Sequence, residues 1–293
     1  MKYLTGVALL FLFSCSAQTP GLVKESKLLS FSTPRRVTVA GYSGHLMEPF
    51  ISRDGRWLFF NDLNDPSVNT NILYAERISD TLFQFAGEVG GLNSPYLDGV
   101  ASMDNAGNLY FITTRSYPQD FSTVYRGIFN NGTLTATEKV NGISLQQPGW
   151  VDFDVEISAD GQTIYFSEGR FNQTGQPLTA DIMVAKRTAD AFTRETGDGI
   201  IPGHINTGAL EYAAGISADE LTLYFTRWAG VGSGTVPRLY YATRENKALP
   251  FDSPLLINEA EGFTEAVSTA ADGLLYFHIR DSDTFHLYCI KRL

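Results

Sequence analysis

Acidic side chains recur just before a phrase that the sequence repeats five times. They are Glu48, Asp98, Asp154, Glu211 and Glu265, four to six residues ahead of the first residue of each phrase or its equivalent. Two carboxyl groups about 5–9.5 Å apart can act as general acid and as base or nucleophile in glycoside hydrolysis. If the protein is an enzyme, Asp98, Asp154 and Glu211 are therefore the candidate catalytic residues, one from each of three successive repeats.

Arginines recur a few residues after the phrase in four of the five repeats. They are Arg115, Arg170, Arg227 and Arg280. Acids and arginines around one opening would form a polar ring able to bind a sugar, a peptide or a cation. The alternative is that each Arg forms an ion pair with an acid of its own or the neighbouring repeat. Recurrence in step with the repeats favours this packing role.

Residues that do not repeat are the other candidates for ligand contact, because positions that serve packing are expected to recur. An aromatic ring beside a carboxylate can hold a sugar by stacking against its C–H face. Of the non-repeating aromatics Trp150, Tyr96, Tyr212 and Trp228, the two tryptophans join Asp152 and His278 as candidates. Together with the five acids and four arginines they form the predicted ligand-binding set. Its centre is the third repeat, where Trp150 and Asp152 lie close to Asp154.

The repeated phrase itself predicts the elements that position these residues. It consists of a small residue, an Asp and usually Gly, then an aliphatic–aromatic–Phe triplet. The triplets are Leu58–Phe60, Leu109–Phe111, Ile164–Phe166, Leu223–Phe225 and Leu275–Phe277. Short apolar segments after Asp-Gly turns predict hairpins, and one strand before and two after the triplet's strand make four per repeat. We therefore predict an all-β fold, a five-bladed β-propeller of four-stranded antiparallel blades.

The fifth repeat lacks a fourth strand of its own. Residues 31–39 resemble residues 251–257, the outer strand that precedes the fifth repeat. We predict that an N-terminal outer strand at about 35–41 pairs with the C-terminal blade, closing the ring and covering a sheet edge. The predicted blades span about 46–93, 96–143, 150–206, 209–259, and 263–293 together with 31–41.

The two faces of such a propeller differ. The Asp-Gly turns between first and second strands lie on one face, which we call the turn face. The variable loops and the entrances of the first strands lie on the other, the loop face. Loops on a rigid scaffold commonly carry binding residues. Function is therefore predicted on the loop face.

The repeat also resembles a known family. The pattern small-x-Asp-Gly-x-x-aliphatic-Tyr-Phe, followed by a strand such as Asp181-Ile182-Met183-Val184-Ala185-Lys186-Arg187, is similar to the WD40-like repeat of TolB-type β-propellers, over about residues 31–293. The resemblance implies a binding or scaffolding propeller of the bacterial cell envelope, with a protein, peptide or glycan partner. A carbohydrate-active hydrolase or lyase, and a purely structural interaction propeller, are the alternatives.

The N-terminus predicts export. Lys2 and the apolar run from Tyr3 to Phe13 are typical of a signal peptide over residues 1–17. Leu12-Phe13-Ser14-Cys15 resembles a lipobox, which implies lipidation of Cys15, while cleavage after Ala17 and free secretion is the alternative. Residues 18–28 would be a tether and 29–293 one domain. The predicted location is the periplasm, free or anchored to the outer membrane as a lipoprotein.

Charge and histidine spacing limit the partners. A net charge of −10 argues against nucleic acid, because phosphate binding depends on Lys and Arg. Membrane contact is expected only through the lipid anchor, and the protein is expected to be a monomer. The histidines lack metal-site spacing, so no metal or other cofactor is predicted. Calcium bound by the ring carboxylates is a weaker alternative, because no Asp-x-Asp-x-Asp loop supports it.

Overall fold

The computed structural model describes residues 23–65, 67–197 and 199–293. The predicted signal peptide, the lipobox at Cys15 and the start of the tether lie outside the described residues. Cys289, in the last strand, is fully buried. Within the described ranges no helix is long and apolar enough to cross a membrane.

The described residues form 21 strands and one four-residue helix. Two short strands come first, β1 (Arg35–Arg36) and β2 (Thr38–Ala40). Blade 1 contains β3 (Met47–Ile51), β4 (Trp57–Asn61), β5 (Ile72–Arg77) and β6 (Leu82–Glu88). Blade 2 contains β7 (Asp98–Met103), β8 (Asn108–Thr113), α1 (Tyr117–Asp120), β9 (Val124–Asn130) and β10 (Thr133–Lys139).

Blades 3 to 5 follow the same antiparallel order. Blade 3 contains β11 (Trp150–Ile157), β12 (Thr163–Phe171), β13 (Pro177–Thr188) and β14 (Ala191–Arg194). Blade 4 contains β15 (Leu210–Ile216), β16 (Thr222–Trp228), β17 (Arg238–Thr243) and β18 (Leu255–Leu256). Blade 5 contains β19 (Phe263–Thr269), β20 (Leu274–Asp281) and β21 (Thr284–Lys291).

The five blades close into a ring. The first strand of each blade contacts the first strand of the next, in the order β3, β7, β11, β15, β19 and back to β3. Each of the five apolar core clusters lies between two neighbouring blades rather than inside one. Burial of apolar surface therefore holds each blade to its neighbours. The prediction of an all-β, five-bladed propeller is confirmed.

The N-terminal segment closes the ring through two pairings. β1 pairs antiparallel with β21, so it supplies the fourth strand of blade 5 as predicted. The predicted strand at about 35–41 is not continuous, because β2 pairs in parallel with β6 of blade 1. Val37 and Val39 are both buried in the core between blades 5 and 1. The segment changes partner because its two valines fill that junction.

The sequence pattern places the first residue of the second phrase at Ser102, and the strand register corrects this alignment. The backbone N–H of Ser52 donates to the carbonyl of Trp57, and in blade 2 the same bond runs from Asp104 to Asn108. Asp104, not Ser102, therefore occupies the position of the phrase's first residue. Its carboxylate accepts the backbone N–H groups of Ala106 and Asn108, both at 2.9 Å, and so closes the turn by itself.

Each first strand contains a register shift that resembles a β-bulge. In four blades one residue at this shift has a positive φ, and its N–H donates to a side chain of the preceding blade. The bonds run from Val100 to Asn61, from Ala213 to Ser167, from Ala266 to Thr226 and from Glu48 to His278. Blade 3 has Asp154 at this position, without a positive φ. Bulges re-aim side chains, here toward the channel.

The segment 167–180, which follows the triplet of blade 3, is mostly strand. β12 continues to Phe171 and β13 begins at Pro177, leaving a five-residue turn. The side chain of Asn172 accepts the N–H groups of Thr174 at 3.0 Å and Gln176 at 2.9 Å, which holds the turn closed. The hairpin of blade 3 therefore extends as a rigid element on the loop face.

Candidate functional site

Three carboxylates at the channel have no Lys or Arg partner among the described residues: Glu48, Asp154 and Glu265. Glu48 and Asp154 line a narrow cavity in the channel of about 30 Å³. That volume suits one or two water molecules. We call these three residues, together with Tyr212 and His278, the channel cluster.

The strand register explains why Glu48 and Asp154 face each other. In blade 1, Phe50 lies opposite Phe59, the central aromatic of the phrase, and Glu48 precedes Phe50 by two residues. In blade 3, Glu156 lies opposite Tyr165, and Asp154 precedes Glu156 by two residues. The other three blades have small or aliphatic residues at this position. They are Val100, Ala213 and Ala266. The two carboxylates are therefore departures from the repeat, not members of a ring.

Glu265 is held by two hydrogen bonds. One oxygen accepts the hydroxyl proton of Tyr212, and the other accepts from Nε2 of His278 at 3.0 Å. The Nδ1 atom of His278 accepts the backbone N–H of Glu48 at 3.1 Å. A neutral histidine that accepts at Nδ1 carries its proton on Nε2. His278 therefore links blade 1 to the carboxylate of blade 5.

Burial raises the pKa values of two of the carboxyls. The pKa of Glu48 is well above its usual value because the group is buried and the charges of Asp154 and Glu265 are near, although the amide of Asn64 opposes this. Burial raises the pKa of Asp154 to about 6, against the hydrogen bonds from Ala213 and Ser167. Two carboxyls that line one cleft and have raised pKa values are candidate acid–base groups.

Asp98 and Glu211 lie outside the channel cluster. Asp98 forms an ion pair with Arg115 at 2.8 Å, and Glu211 pairs with Arg227 at 2.7 Å. Both carboxylates are fully buried, and both also accept bonds from the connection that leads into their strand, Asp98 from Ser94 and Glu211 from Thr207. These pairs fix the connections between blades. The structure does not bring Asp98 and Glu211 together with Asp154.

Asp152 occupies the same position in blade 3, but its environment differs. The residue opposite it is Glu168, which is engaged by Arg194 through two bonds of 2.7 and 2.9 Å. Asp152 is buried, and its Oδ2 atom has no hydrogen-bond partner among the described residues. Burial, and then the charge of Glu168, raises its pKa to about 7, although Arg194 opposes this. Its carboxyl lies outside the channel cluster.

The remaining sequence candidates lie near the ends of the strands. The Arg170 guanidinium is 5.9 Å from the ring centroid of Trp150. Arg280 pairs with the exposed Asp283 at 3.4 Å, and Trp228 donates its indole N–H to the carbonyl of Thr235. In the described part of the chain no hydrogen bond or ion pair joins these side chains to the channel cluster.

Aromatic rings flank the channel cluster. Phe153 packs edge-on against Phe171 at 5.2 Å and lies 6.1 Å from the ring of Tyr212. Burial and the charge of Glu265 raise the pKa of Tyr212 well above its usual value, so its hydroxyl remains a donor. Sequence reasoning did not single out Phe153 or Phe171. The sequence signal that could have found them is the presence of two aromatic residues on adjacent strands of the blade that contains Asp154.

A buried polar contact lies on the turn-face side of the channel. Arg53, in the turn after β3, pairs with Glu156 of blade 3 at 2.8 Å, and both side chains are almost fully buried. Ser102 of blade 2 donates to the other oxygen of Glu156 at 2.6 Å. Three blades therefore meet in one buried polar contact. The cavity that Glu48 and Asp154 line extends to Phe50, Glu156 and Ser268, beside this contact.

Solved structures resemble this fold. No protein-family model matches the chain, and no curated protein matches it. A structure described as a glycoside hydrolase aligns over 91% of this chain and 91% of its own, with 12% identity and a TM-score of 0.62. A thermostable family-43 glycoside hydrolase aligns over 88% and 92%, with 13% identity and a TM-score of 0.55. The catalytic domain of the Coprinopsis cinerea GH62 alpha-L-arabinofuranosidase aligns over 91% and 97%, with 11% identity and a TM-score of 0.53.

These neighbours correct the family assignment. TolB from Acinetobacter baumannii aligns with a TM-score of only 0.43 and over 53% of its length. The higher-scoring structures are glycoside-hydrolase propellers, so the identification as a TolB-type WD40-like propeller is wrong. The lipoprotein and outer-membrane description that accompanied it finds no support among them. At these identities the likeness establishes the fold alone, because one fold hosts many functions.

Proposed function

We propose that the protein is a carbohydrate-active hydrolase whose reacting groups are the channel carboxyls Glu48 and Asp154. The observation that carries the proposal is their position. They are two buried carboxyls without Arg or Lys partners among the described residues, at equivalent sites of blades 1 and 3 where the other blades have Val or Ala. The glycoside hydrolases among the structural neighbours support this class over a binding or scaffolding propeller.

The raised pKa values support the role of general acid for one carboxyl and of general base for the other. Glu48, whose pKa is well above its usual value, is the general acid that protonates the departing glycosidic oxygen. Asp154, with a pKa of about 6, is ionised above that pH and removes a proton from the attacking water. Water then adds to the anomeric carbon as the glycosidic bond breaks. Glu48 gives one proton to the departing oxygen, and Asp154 takes one from the water. Glu265 adds negative charge that favours a positively charged sugar in the transition state.

The small volume of the cavity supports a sugar site outside it. About 30 Å³ is room for the attacking water but not for a sugar ring. The sugar therefore lies at the loop-face mouth, against the rings of Phe153 and Tyr212. Aromatic rings stack on the C–H faces of sugars while carboxylates bond their hydroxyls. The half-buried Trp150 is positioned for the next sugar along.

The test is a screen of the mature chain against aryl glycosides and plant and microbial polysaccharides, followed by substitution. Glu48→Gln and Asp154→Asn should each lower kcat by at least 100-fold on any substrate found. Asp152→Asn is the matched control, because Asp152 is buried in the same strand but lies outside the channel cluster. Turnover that survives in both channel variants would overturn the proposal. Sugar binding without turnover across the whole panel would instead favour a ligand-binding propeller.

A further inference from the structure

Four of the five junctions between blades share a contact on the turn face. An Arg at the end of the third strand reaches the central Tyr of the phrase in the preceding blade, or a residue beside it. Arg187 donates to the hydroxyl of Tyr110, and Arg244 donates to that of Tyr165 at 3.2 Å. The other two are Arg292, which donates to Thr222 at 3.3 Å and lies beside Tyr224, and Arg77, which pairs with Asp272 and lies beside Tyr276.

The junction between blades 1 and 2 lacks both partners of this contact. The phrase of blade 1 has Phe59 in place of Tyr. In blade 2 the register sets Arg126 opposite Tyr110, so the position three residues later, which is Arg in the other blades, is Phe129. The rings of Phe59 and Phe129 meet edge-on at 4.9 Å. An apolar pair thus replaces an Arg–Tyr contact, and both members have changed together.

A cleft of about 300 Å³ opens at this junction, on the turn face. We call it the junction cleft. It is lined by Arg53, Asp54, Trp57, residues 103–107, Phe129, Asn130 and Asn131. Its volume lies at the lower end of the range of about 300–1,000 Å³ for small-molecule sites. At the neighbouring junction of blades 2 and 3 the turns touch directly, since Asn105 donates its N–H to the carbonyl of Ala159.

The lining has one aromatic wall and an unsatisfied donor. The rings of Trp57 and Phe129 lie 6.1 Å apart, and Trp57 is half-buried. The side chain of Arg53 is 8% exposed, and its Nε atom has no acceptor among the described residues. A buried donor without an acceptor is costly, so an oxygen supplied by a ligand would stabilise it. Asn130 and Asn131 are exposed and add amide donors and acceptors.

The charges of the lining argue against an anionic ligand. The lining contains one Arg and two Asp, and Arg53 already pairs with Glu156, so no positive excess would attract an anion. The carboxylate of Asp104 already accepts two N–H groups. A ligand with apolar faces and hydroxyl edges matches an aromatic wall beside amides and one guanidinium. We propose that the junction cleft binds a neutral carbohydrate of one or two sugar units, on the face opposite the channel mouth and independently of it.

The experiment follows the indole N–H signals of the three tryptophans by NMR during titration with neutral oligosaccharides. The Asp154→Asn variant is used so that nothing is hydrolysed. Sugars built from glucose, galactose, xylose, mannose and arabinose should include at least one that shifts the Trp57 signal. The double variant Phe59→Tyr/Phe129→Arg, which restores the contact of the other four junctions, should weaken that binding at least tenfold. Trp228→Ala, on the loop face, should leave it unchanged.

Two further readouts keep the proposal falsifiable. Asn131→Ala, at an exposed position, should weaken the same binding several-fold even if the double variant does not fold. A Trp57 signal that no sugar moves, or unchanged affinity in both the double variant and Asn131→Ala, would overturn the proposal. A shift confined to Trp150 would place the only sugar site at the channel mouth. Loss of the cleft site leaves hydrolysis in the channel intact, so the two proposals fail separately.

Discussion

Replacing Asp154 by Asn should stabilise the fold at alkaline pH while it abolishes turnover. Burial raises the pKa of Asp154 from 3.8 to about 6, so the folded protein favours the protonated carboxyl. One pKa unit corresponds to about 1.4 kcal/mol, and ionised Asp154 therefore destabilises the fold by about 3 kcal/mol. The neutral amide removes this cost and keeps an oxygen to accept the N–H of Ala213, which bonds Asp154 at 2.9 Å.

The pH dependence follows from the sign of the shift. A carboxyl with a raised pKa in the folded state contributes stability below its unfolded pKa, and the contribution is lost as pH rises toward the folded pKa. The unfolding free energies of the wild type and Asp154→Asn should therefore agree near pH 3.5 and diverge between pH 4 and 6. The full difference of about 3 kcal/mol is expected from pH 7 upward, with a melting temperature several degrees higher for the variant.

Urea unfolding from pH 3.5 to 8.5, followed by tryptophan fluorescence, measures this difference. Asp152→Asn is the matched comparison, because burial and Glu168 raise the pKa of Asp152 to about 7. It should be stabilised as well, with the divergence reaching about pH 7, but it should keep its turnover. A variant Asp154→Asn that is no more stable than wild type at pH 8, or a difference that is constant with pH, would refute the reasoning.

Two other predictions concern the ring itself. Arg115→Met leaves the fully buried Asp98 without its cation and should lower the unfolding free energy by about 3 kcal/mol. Arg280→Met removes an exposed ion pair and should change the unfolding free energy by less than about 0.5 kcal/mol. Denaturant titration of both variants would detect the contrast. Deleting residues 29–41 removes the fourth strand of blade 5 and the buried Phe31, and should lower the melting temperature of the whole domain by ten degrees or more in calorimetry. Unchanged melting would contradict closure by this segment.

The fold was predictable because its signals are local and repeated. Each phrase combines a turn with an apolar triplet, and five copies at a period above 50 residues specify blades without any knowledge of contacts. The fourth strand of blade 5 was found from sequence similarity alone. The change of partner after Arg36 was not, because only the packed junction shows that Val37 and Val39 fill the space between two blades.

The candidate site was mixed with packing residues because the second repeat was misaligned by two residues. Counted from Asp104, Asp98 lies six residues ahead, as Glu211 lies six ahead of Ser217. Both of these acids pair with Arg. Glu48 lies four residues ahead of its Ser, as Asp154 does, and both face the channel. The two spacings differ by two residues, and the bulge between the two positions re-aims the side chain. Spacing from the phrase alone would therefore have separated the Arg-paired acids from the acids that face the channel.

The resemblance to TolB-type propellers failed for a related reason. It rested on the phrase and on the third strand, which set the turns and the junction cores. All propellers of this kind need such turns and such cores between their blades. The phrase and the third strand give no information about the few residues that line the channel. A family assignment made on them reports architecture, and activity has to be argued from Glu48, Asp154 and their surroundings.

Departure from the repeat is the better guide to function in this molecule. Every junction buries apolar side chains and four of the five share the same polar contact, so a residue that breaks the pattern forfeits a stabilising interaction that the other blades keep. Glu48 and Asp154 replace aliphatic residues and carry raised pKa values. Phe59 and Phe129 replace a Tyr–Arg contact, and a cleft opens beside them. Such costs are common at functional sites, where local rules are broken for a ligand or a reaction. The two departures lie on opposite faces, which is why we assign them separate ligands and separate tests.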